Sequence, residues 1–443
     1  MKLFGTDGIR GEADKFPFDD ATLKQIGRGL ADELRSRTGR DVRLLTARDT
    51  RESGERIETA ITSGAVSAGG TCVSAGVMTT PGAAYLCGKF GFDSAVVISA
   101  SHNPYHDNGI KIFLPSGQKL DASGEASIEA AISESAGELA DSILDLTREQ
   151  EFVAAYSDYL RASLKLSGEG RRIVIDCANG AASAIAPQIF LGSGADAVVI
   201  NDSPDGRNIN LGCGSTHIEG LQSAVLEYSA DLGIAYDGDA DRALFVDEKG
   251  DLIDGDATLL ILARQLRKNG GLKNATVIAT VMSNLGLNEA FAVENISLVR
   301  TAVGDKYVLE RLLETGSELG GEQSGHIILP KRSLIGDGIM TSILLFEAML
   351  EEDCTASELS HGFRQYPQVL KGVRVKEKIP LDSVYAVSEL RKAIEERLGE
   401  SGRLVLRYSG TEPLARVMIE GKDQAEIDQM ADELIAVIGR ELG

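Results

Sequence analysis

The run Ala100-Ser101-His102-Asn103-Pro104-Tyr105-His106-Asp107-Asn108-Gly109-Ile110-Lys111 brings together a hydroxyl, two imidazoles, a turn-forming Asn-Pro pair and a lysine. It follows Ala95-Val96-Val97-Ile98, an apolar run that reads as a buried strand. A strand that ends in such a polar loop is where α/β folds tend to keep their chemistry. Ser101 is fit to be a nucleophile or a group carrier, and His102 or Lys111 to move a proton. A capped turn with a solvated lysine is the other reading of this segment taken alone.

Asp237-Gly238-Asp239-Ala240-Asp241-Arg242 follows Leu232-Gly233-Ile234-Ala235-Tyr236, which also reads as a strand. Carboxylates at alternate positions can converge on one hard cation, and oxygen donors suit Mg²⁺ or Ca²⁺. The longer ligand ladder and closing glutamate of an EF-hand are missing. A single ion, its coordination completed by water or a phosphate oxygen, fits the spacing. Without a cation the three acids repel one another. Arg242 beside them can bind a phosphate or offset their charge. In Gly320-Gly321-Glu322-Gln323-Ser324-Gly325-His326, Glu322 and Ser324 can clamp sugar hydroxyls, and His326 can donate to an anion or exchange a proton. Arg407-Tyr408-Ser409-Gly410-Thr411-Glu412-Pro413 has the makings of a phosphate cradle: a guanidinium fork, hydroxyls and exposed backbone N–H groups. Gly5-Thr6-Asp7-Gly8-Ile9-Arg10-Gly11 is a glycine-rich loop carrying an arginine.

These loops need elements to hold them. Val42-Arg43-Leu44-Leu45-Thr46, Arg172-Ile173-Val174-Ile175-Asp176 and Thr276-Val277-Ile278-Ala279-Thr280 each run into a polar or Gly-bearing turn and then a helical pattern. Each is the opening of a βα unit, so the shared plan predicts three α/β domains in a row. After Gln365-Tyr366-Pro367 the pattern changes to short strands interleaved with amphipathic helices over 383–398 and 424–442, a small α+β unit. Polar boundaries place the domains at 1–150, 151–250, 251–366 and 367–443. The 443 residues exceed one core, since domains run to roughly 100–200 residues.

A net charge of −22 argues against nucleic acid or an anionic membrane as partner. It also means that an anionic substrate would need a local cluster of basic groups. No signal-like apolar region follows Met1 and no long apolar run occurs, so the expected location is the cytoplasm. The five cysteines are odd in number and lack CxxC spacing, which predicts buried free thiols.

In wording and order, five loops resemble those of the α-D-phosphohexomutase superfamily over essentially the whole chain. They are Phe4-Gly5-Thr6-Asp7-Gly8-Ile9-Arg10-Gly11, Ser101-His102-Asn103-Pro104, the Asp237 to Arg242 run, Gly321-Glu322-Gln323-Ser324-Gly325-His326 and the Arg407 to Pro413 run. Gln323 and Thr280-Val281-Met282-Ser283-Asn284-Leu285-Gly286 are most similar to members acting on glucosamine phosphates. The resemblance implies three consecutive α/β domains with mixed sheets plus a smaller C-terminal α+β lid domain, around a central cleft. It implies an isomerase that interconverts glucosamine 6-phosphate and glucosamine 1-phosphate, feeding UDP-N-acetylglucosamine synthesis. The alternative is action on glucose or mannose phosphates.

The resemblance further implies one Mg²⁺ per chain, held by Asp237, Asp239, Asp241 and a phosphate oxygen on Ser101. Phosphorylation of Ser101 and a hexosamine 1,6-bisphosphate, as intermediate and activator, come with it. Arg10, His102, Lys111 and Arg242 then surround the transferring phosphoryl group. Glu322, Ser324 and His326 hold the sugar, and Arg407, Ser409, Gly410 and Thr411 grip the non-reacting phosphate. The partner is a small hexosamine phosphate, with no nucleic acid or membrane, and the chain is a monomer or homodimer. Gly304-Asp305-Lys306-Tyr307 departs from mannose-acting members, which tend to have His or a basic residue where Asp305 stands. A metal-dependent phosphohydrolase and a non-catalytic sugar-phosphate sensor are the competing classes. The sensor would be expected to have lost Ser101, Lys111 or an Asp of the triad.

Overall fold

A computed structural model describes residues 2–5, 7–134, 141–409 and 413–443. Its first sheet contains β1 (Ile9–Glu12), β2 (Arg43–Arg48), β3 (Thr71–Val77), β4 (Ser94–Ile98) and β5 (Asp107–Phe113), in the order β1-β5-β4-β2-β3. The second contains β6 (Arg172–Asp176), β7 (Asp196–Ile200), β8 (Leu232–Tyr236), β9 (Ala243–Asp247) and β10 (Leu252–Ile253), in the order β10-β9-β8-β6-β7. The third contains β11 (Thr276–Thr280), β12 (Ser297–Thr301), β13 (Gly320–Gly321) and β14 (Ile327–Ile328), in the order β12-β11-β13-β14. The last, fully antiparallel, contains β15 (Gln368–Arg374), β16 (Arg403–Tyr408) and β17 (Leu414–Glu420), with β17 central.

The first three sheets repeat one topology. A lead strand (β2, β6, β11) lies parallel to two neighbours. The later neighbour (β4, β8, β13) turns straight back into an antiparallel partner (β5, β9, β14). Parallel pairs need long crossovers, which the helices fill, whereas an antiparallel return needs only a turn. The turns after β4, β8 and β13 are the three runs singled out by their chemistry. β4 and β8 are buried at every position, which is why both read as continuous apolar runs. The expected helix after Asp176 is split into a 3-10 turn, Ala181–Ala184, and a helix, Ala186–Gly192. Pro187 has no N–H with which to join them.

One apolar core runs through the first two sheets and into the helix Gly338–Glu352. The C-terminal unit has a separate core built from β15 to β17 and the helices Tyr385–Leu398 and Gln424–Leu442. It joins the rest by polar contacts around residues 282–284. Gln368 Nε2 donates to the Met282 carbonyl at 3.2 Å and Arg403 to that of Ser283 at 2.8 Å. Just before that unit begins, Asn284 exchanges hydrogen bonds with the Tyr366 backbone at 2.9 and 3.0 Å, which fixes where the chain enters it. The stretch noted above for its family wording is therefore the seat of the C-terminal unit. All five cysteines are free thiols, and burial pushes that of Cys87 up to about 12. Among the described residues no helix is long and apolar enough to cross a membrane.

Candidate active site

The three equivalent turns meet at the base of a cleft of about 760 Å³. Each contains one residue of positive φ: Ser101 at 54°, Ala240 at 56° and Gly325 at 89°. A side chain in that region costs about 1–3 kcal/mol, so surrounding contacts must hold Ser101 there. The Ser101 N–H donates to Ser99 Oγ at 2.9 Å. Its carbonyl accepts from Arg51 at 2.9 Å and from Asn210 Nδ2 at 2.9 Å. Arg51 also donates to the Asn103 carbonyl at 2.8 Å, and Asn210 to the same carbonyl at 3.1 Å. Arg51 Nε is paired with Asp49 at 2.9 Å, both side chains fully buried. Removing one member of a buried pair costs about 3–5 kcal/mol, so this grip is firm. The second turn comes close enough that a Cβ on Gly238 would lie 2.6 Å from the Ser101 carbonyl oxygen. Only glycine permits that approach.

Ser101 Oγ donates to Asp237 Oδ2 at 2.5 Å and lies 3.3 Å from His102 Nδ1. Lys111, on β5, donates to Asp239 Oδ2 at 2.8 Å and Asp241 Oδ2 at 3.1 Å. Thr80 Oγ1 donates to Asp239 Oδ2 at 2.5 Å. Arg10 donates to the Ala100 carbonyl at 2.7 Å and pairs with Asp7. Glu322 lines the cleft, and its Oε1 accepts the Gly304 N–H at 3.0 Å. His326 is buried: Nε2 accepts the Gly336 N–H at 3.0 Å and Nδ1 faces Asp241 Oδ1 at 3.5 Å. Its ring thus backs the Asp triad, although it also borders the cleft. Ser324 is on the same turn but is not among the cleft-lining residues. Gln323 faces away, its Nε2 3.2 Å from Asp254 Oδ2.

At the opposite wall stand Arg407 and Arg416, directly paired across β16 and β17. Ser409 is buried behind them, its carbonyl accepting from Lys378 at 2.8 Å. Gly410 and Thr411 lie outside the described residues.

Asp237, Asp239 and Asp241 offer carboxylate oxygens that all lie within 4.8 Å of one another. Asp239 Oδ1 is buried and accepts no hydrogen bond among the described residues, and buried Asp241 Oδ1 has only His326 Nδ1 facing it at 3.5 Å. A buried carboxylate oxygen without a partner is costly, and an all-oxygen donor set matches a hard divalent cation. The residues therefore fit a metal.

Burial, then Asp241 and Asp239, lifts Asp237 well above the usual carboxylate range. Burial alone would lift Asp241 too, but Lys111, His326 and Arg242 outweigh it and hold it well below that range. Burial opposes the Lys111 charge, yet Asp239, Asp241 and Asp7 raise its pKa well above the ordinary value. Burial, with Arg242 and Arg10 nearby, pushes His102 down to about 4, so its ring is neutral at neutral pH.

Arg51, Asp49, Asn210, Thr80 and Arg416 belong to this assembly without having stood out in the sequence. The Arg48-Asp49-Thr50-Arg51 run after β2 was the one visible signal, being the turn of a βα unit.

Sequence models of the phosphoglucomutase/phosphomannomutase family match in series: α/β/α domain I over residues 1–138, domain II over 152–250, domain III over 254–366 and the C-terminal domain over 370–437. A phosphoglucosamine mutase of Solibacter usitatus is 46% identical over 442 residues, covering 100% of this chain and 99% of its own. One from Caldicellulosiruptor saccharolyticus is 47% identical, covering 99% and 98%. Among solved structures, a phosphoglucomutase/phosphomannomutase family protein of Burkholderia thailandensis aligns with TM-score 0.80 at 25% identity, covering 99% and 97%. The Aspergillus fumigatus N-acetylphosphoglucosamine mutase, solved with GlcNAc-6P and magnesium, shares the fold with TM-score 0.69 at 17% identity, covering 99% and 96%. With its repeated sheets, converging turns and full-length relatives, the chain belongs to the phosphoglucomutase/phosphomannomutase family of the α-D-phosphohexomutase superfamily.

Proposed function

We propose that the chain is an isomerase that interconverts glucosamine 6-phosphate and glucosamine 1-phosphate through a phosphoserine at position 101 and a bisphosphorylated hexosamine. The observation that carries this is Ser101 Oγ on Asp237, buried directly behind His102, Asp241 and Arg242, which line a cleft that Arg407 and Arg416 also line. One end suits a phosphoryl carrier and the other a resting phosphate. The full-length relatives named for glucosamine phosphate support the sugar assignment. In this reading the four units are the domains 1–150, 151–250, 251–366 and 367–443.

In the forward half-reaction the free sugar hydroxyl attacks phosphorus. The bond from phosphorus to Ser101 Oγ breaks and its electron pair stays on Oγ. The hydroxyl proton goes to His102, whose ring is neutral, or to Lys111 once that side chain has given up its own proton, and ends on Oγ. After the bisphosphate turns over in the cleft, the same steps run in reverse on the other phosphate. Asp237, Asp239, Asp241 and the Ser101 phosphate would hold Mg²⁺, which supplies charge neutralisation for the transferring phosphoryl oxygens. Arg10 and Arg242 add fixed positive charge beside them. Glu322, Ser324 and His326 are assigned to the sugar-side loop, His326 through its hold on Asp241. Arg407, Ser409, Gly410 and Thr411 are assigned to the resting phosphate, together with Arg416. A closed cleft keeps water from the phosphoserine.

Turnover of glucosamine, glucose and mannose 6-phosphates by the purified protein, with inorganic phosphate release followed in parallel, tests the reading. Glucosamine 6-phosphate should be the fastest substrate, with little phosphate released. Glucosamine 6-phosphate as the slowest of the three contradicts the sugar assignment, and stoichiometric phosphate release makes the protein a hydrolase. General acid–base catalysis contributes about 10²–10⁴-fold, so a loss of kcat of that size in His102→Gln, with Ser101 loading unchanged, makes His102 the proton acceptor, and a loss below about threefold rules it out.

A further inference from the structure

We propose that Lys119 and Asp305 form a bridge between the first and third units that positions Glu322, and so sets how tightly the sugar is held. The proposal rests on Glu322 facing the sugar, as assigned above. Lys119 lies just beyond β5, where it forms an antiparallel bridge with Phe113. Its Nζ donates to Asp7 Oδ1 at 2.6 Å and to Asp305 Oδ2 at 2.7 Å. Asp305 opens the helix Asp305–Thr315, and its Oδ1 accepts the Lys306 N–H at 2.8 Å. Both its oxygens are therefore engaged, which anchors the side chain at the edge of the cleft. The residue before it, Gly304, carries the N–H that holds Glu322 Oε1 at 3.0 Å. The order of contacts is Asp7, Lys119, Asp305, Gly304, Glu322.

Three further observations make the ion pair the part that fixes this loop. Gly304 has φ 130°, open to glycine but rarely to a residue with a side chain, so the backbone there is held by its contacts and not by a side chain of its own. Asp305 borders the main cleft on one side and a second cavity of about 370 Å³ on the other, so open space flanks it where a packed core would otherwise hold it. Lys119 and Asp305 side chains are only 23% and 20% exposed, which screens them less than the surface pairs of this chain. Burial opposes the Lys119 charge, but Asp7 and Asp305 more than offset it. Asp7 also pairs with Arg10 and stands 3.7 Å from Lys111, so one carboxylate ties the bridge to the phosphoryl end. Lys119 and Asp305 are positioning residues, not catalytic ones.

The test is a double-mutant cycle with Lys119→Met, Asp305→Asn and the double variant, with Lys119→Arg as the conservative control. KM and kcat for glucosamine 6-phosphate are measured, along with Ser101 phosphorylation by saturating hexosamine bisphosphate. Each single variant should raise KM about tenfold and change kcat by less than about threefold, the pattern of lost uniform binding. The double variant should be no worse than either single one, Lys119→Arg should stay near wild type, and Ser101 loading should be unchanged. Wild-type KM in the single variants, multiplicative losses in the double one, or a fall in kcat alone overturns the bridge. If Lys119→Met does not fold, Asp305→Asn against Lys119→Arg still decides. A wild-type protein inactive on glucosamine 6-phosphate refutes the substrate assignment instead, and the same cycle on the hexose phosphate it does turn over then tests the bridge.

Discussion

The turn after β8 and the loop after β16 both handle phosphate in the proposed reaction, yet they are held in opposite ways. Asp237 and Asp239 are fully buried, on a turn whose flanking strands belong to a core shared with the first sheet. Their contacts reach Ser101, Thr80 and Lys111 in another unit. Arg407 and Arg416 sit on a sheet with a core of its own, joined to the rest by a few polar bonds. Like charges paired across a sheet repel, and burial together with Arg416 pushes the Arg407 pKa down. A dianionic phosphate between them would relieve that repulsion. The contrast separates two tasks. The reacting centre is built in advance, while the residues that grip the resting phosphate in the proposed reaction stand on a unit with a core of its own.

Substitutions on either side sharpen the contrast, the largest effect coming from the built centre. Asp239→Asn should lower kcat by at least about 10³-fold, since it removes a carboxylate from the proposed metal site and weakens the hold on Lys111. The wild-type melting temperature should rise with added Mg²⁺, and that of the variant should not. Gly238→Ala drives a methyl to 2.6 Å from the Ser101 carbonyl, so the two turns must part. Misplacement on that scale predicts a loss of about hundredfold in kcat, read by steady-state kinetics. Arg407→Ala acts on the C-terminal side. It should raise KM by about thirtyfold with a smaller change in kcat. Gln368→Ala removes hydrogen bonds to Met282 and Glu420. It should cost about 1 kcal/mol of stability by thermal melting and alter kcat by less than threefold or so. Equal kcat losses in Gly238→Ala and Gln368→Ala would erase the distinction between the two regions.

The loops were legible because their chemistry is concentrated in short runs. Ser101 and Lys111 share one turn and strand, and Asp237, Asp239 and Asp241 alternate along another. The strands before them were legible because burial on both faces leaves an uninterrupted apolar run, as in β4 and β8. That the three turns are topological equivalents was not legible, since their sequences differ and only strand pairing reveals the repeat. Nor were the supports. Lys119 lies 112 residues from Asp7 and 186 from Asp305, and an isolated lysine reads as a solvated side chain. Asn210 reaches Ser101 across 109 residues. His326 read as a group that can donate to an anion or exchange a proton; that its Nδ1 faces Asp241, in a different sheet's turn, was not legible.

The central claim is that Ser101 carries the phosphoryl group. Intact mass of the purified protein before and after incubation with a hexosamine bisphosphate and Mg²⁺, beside a Ser101→Ala variant, tests it most directly. The account predicts one added phosphoryl group on the wild-type chain and none on the variant. No added mass on the wild type, or the same gain on Ser101→Ala, would contradict it.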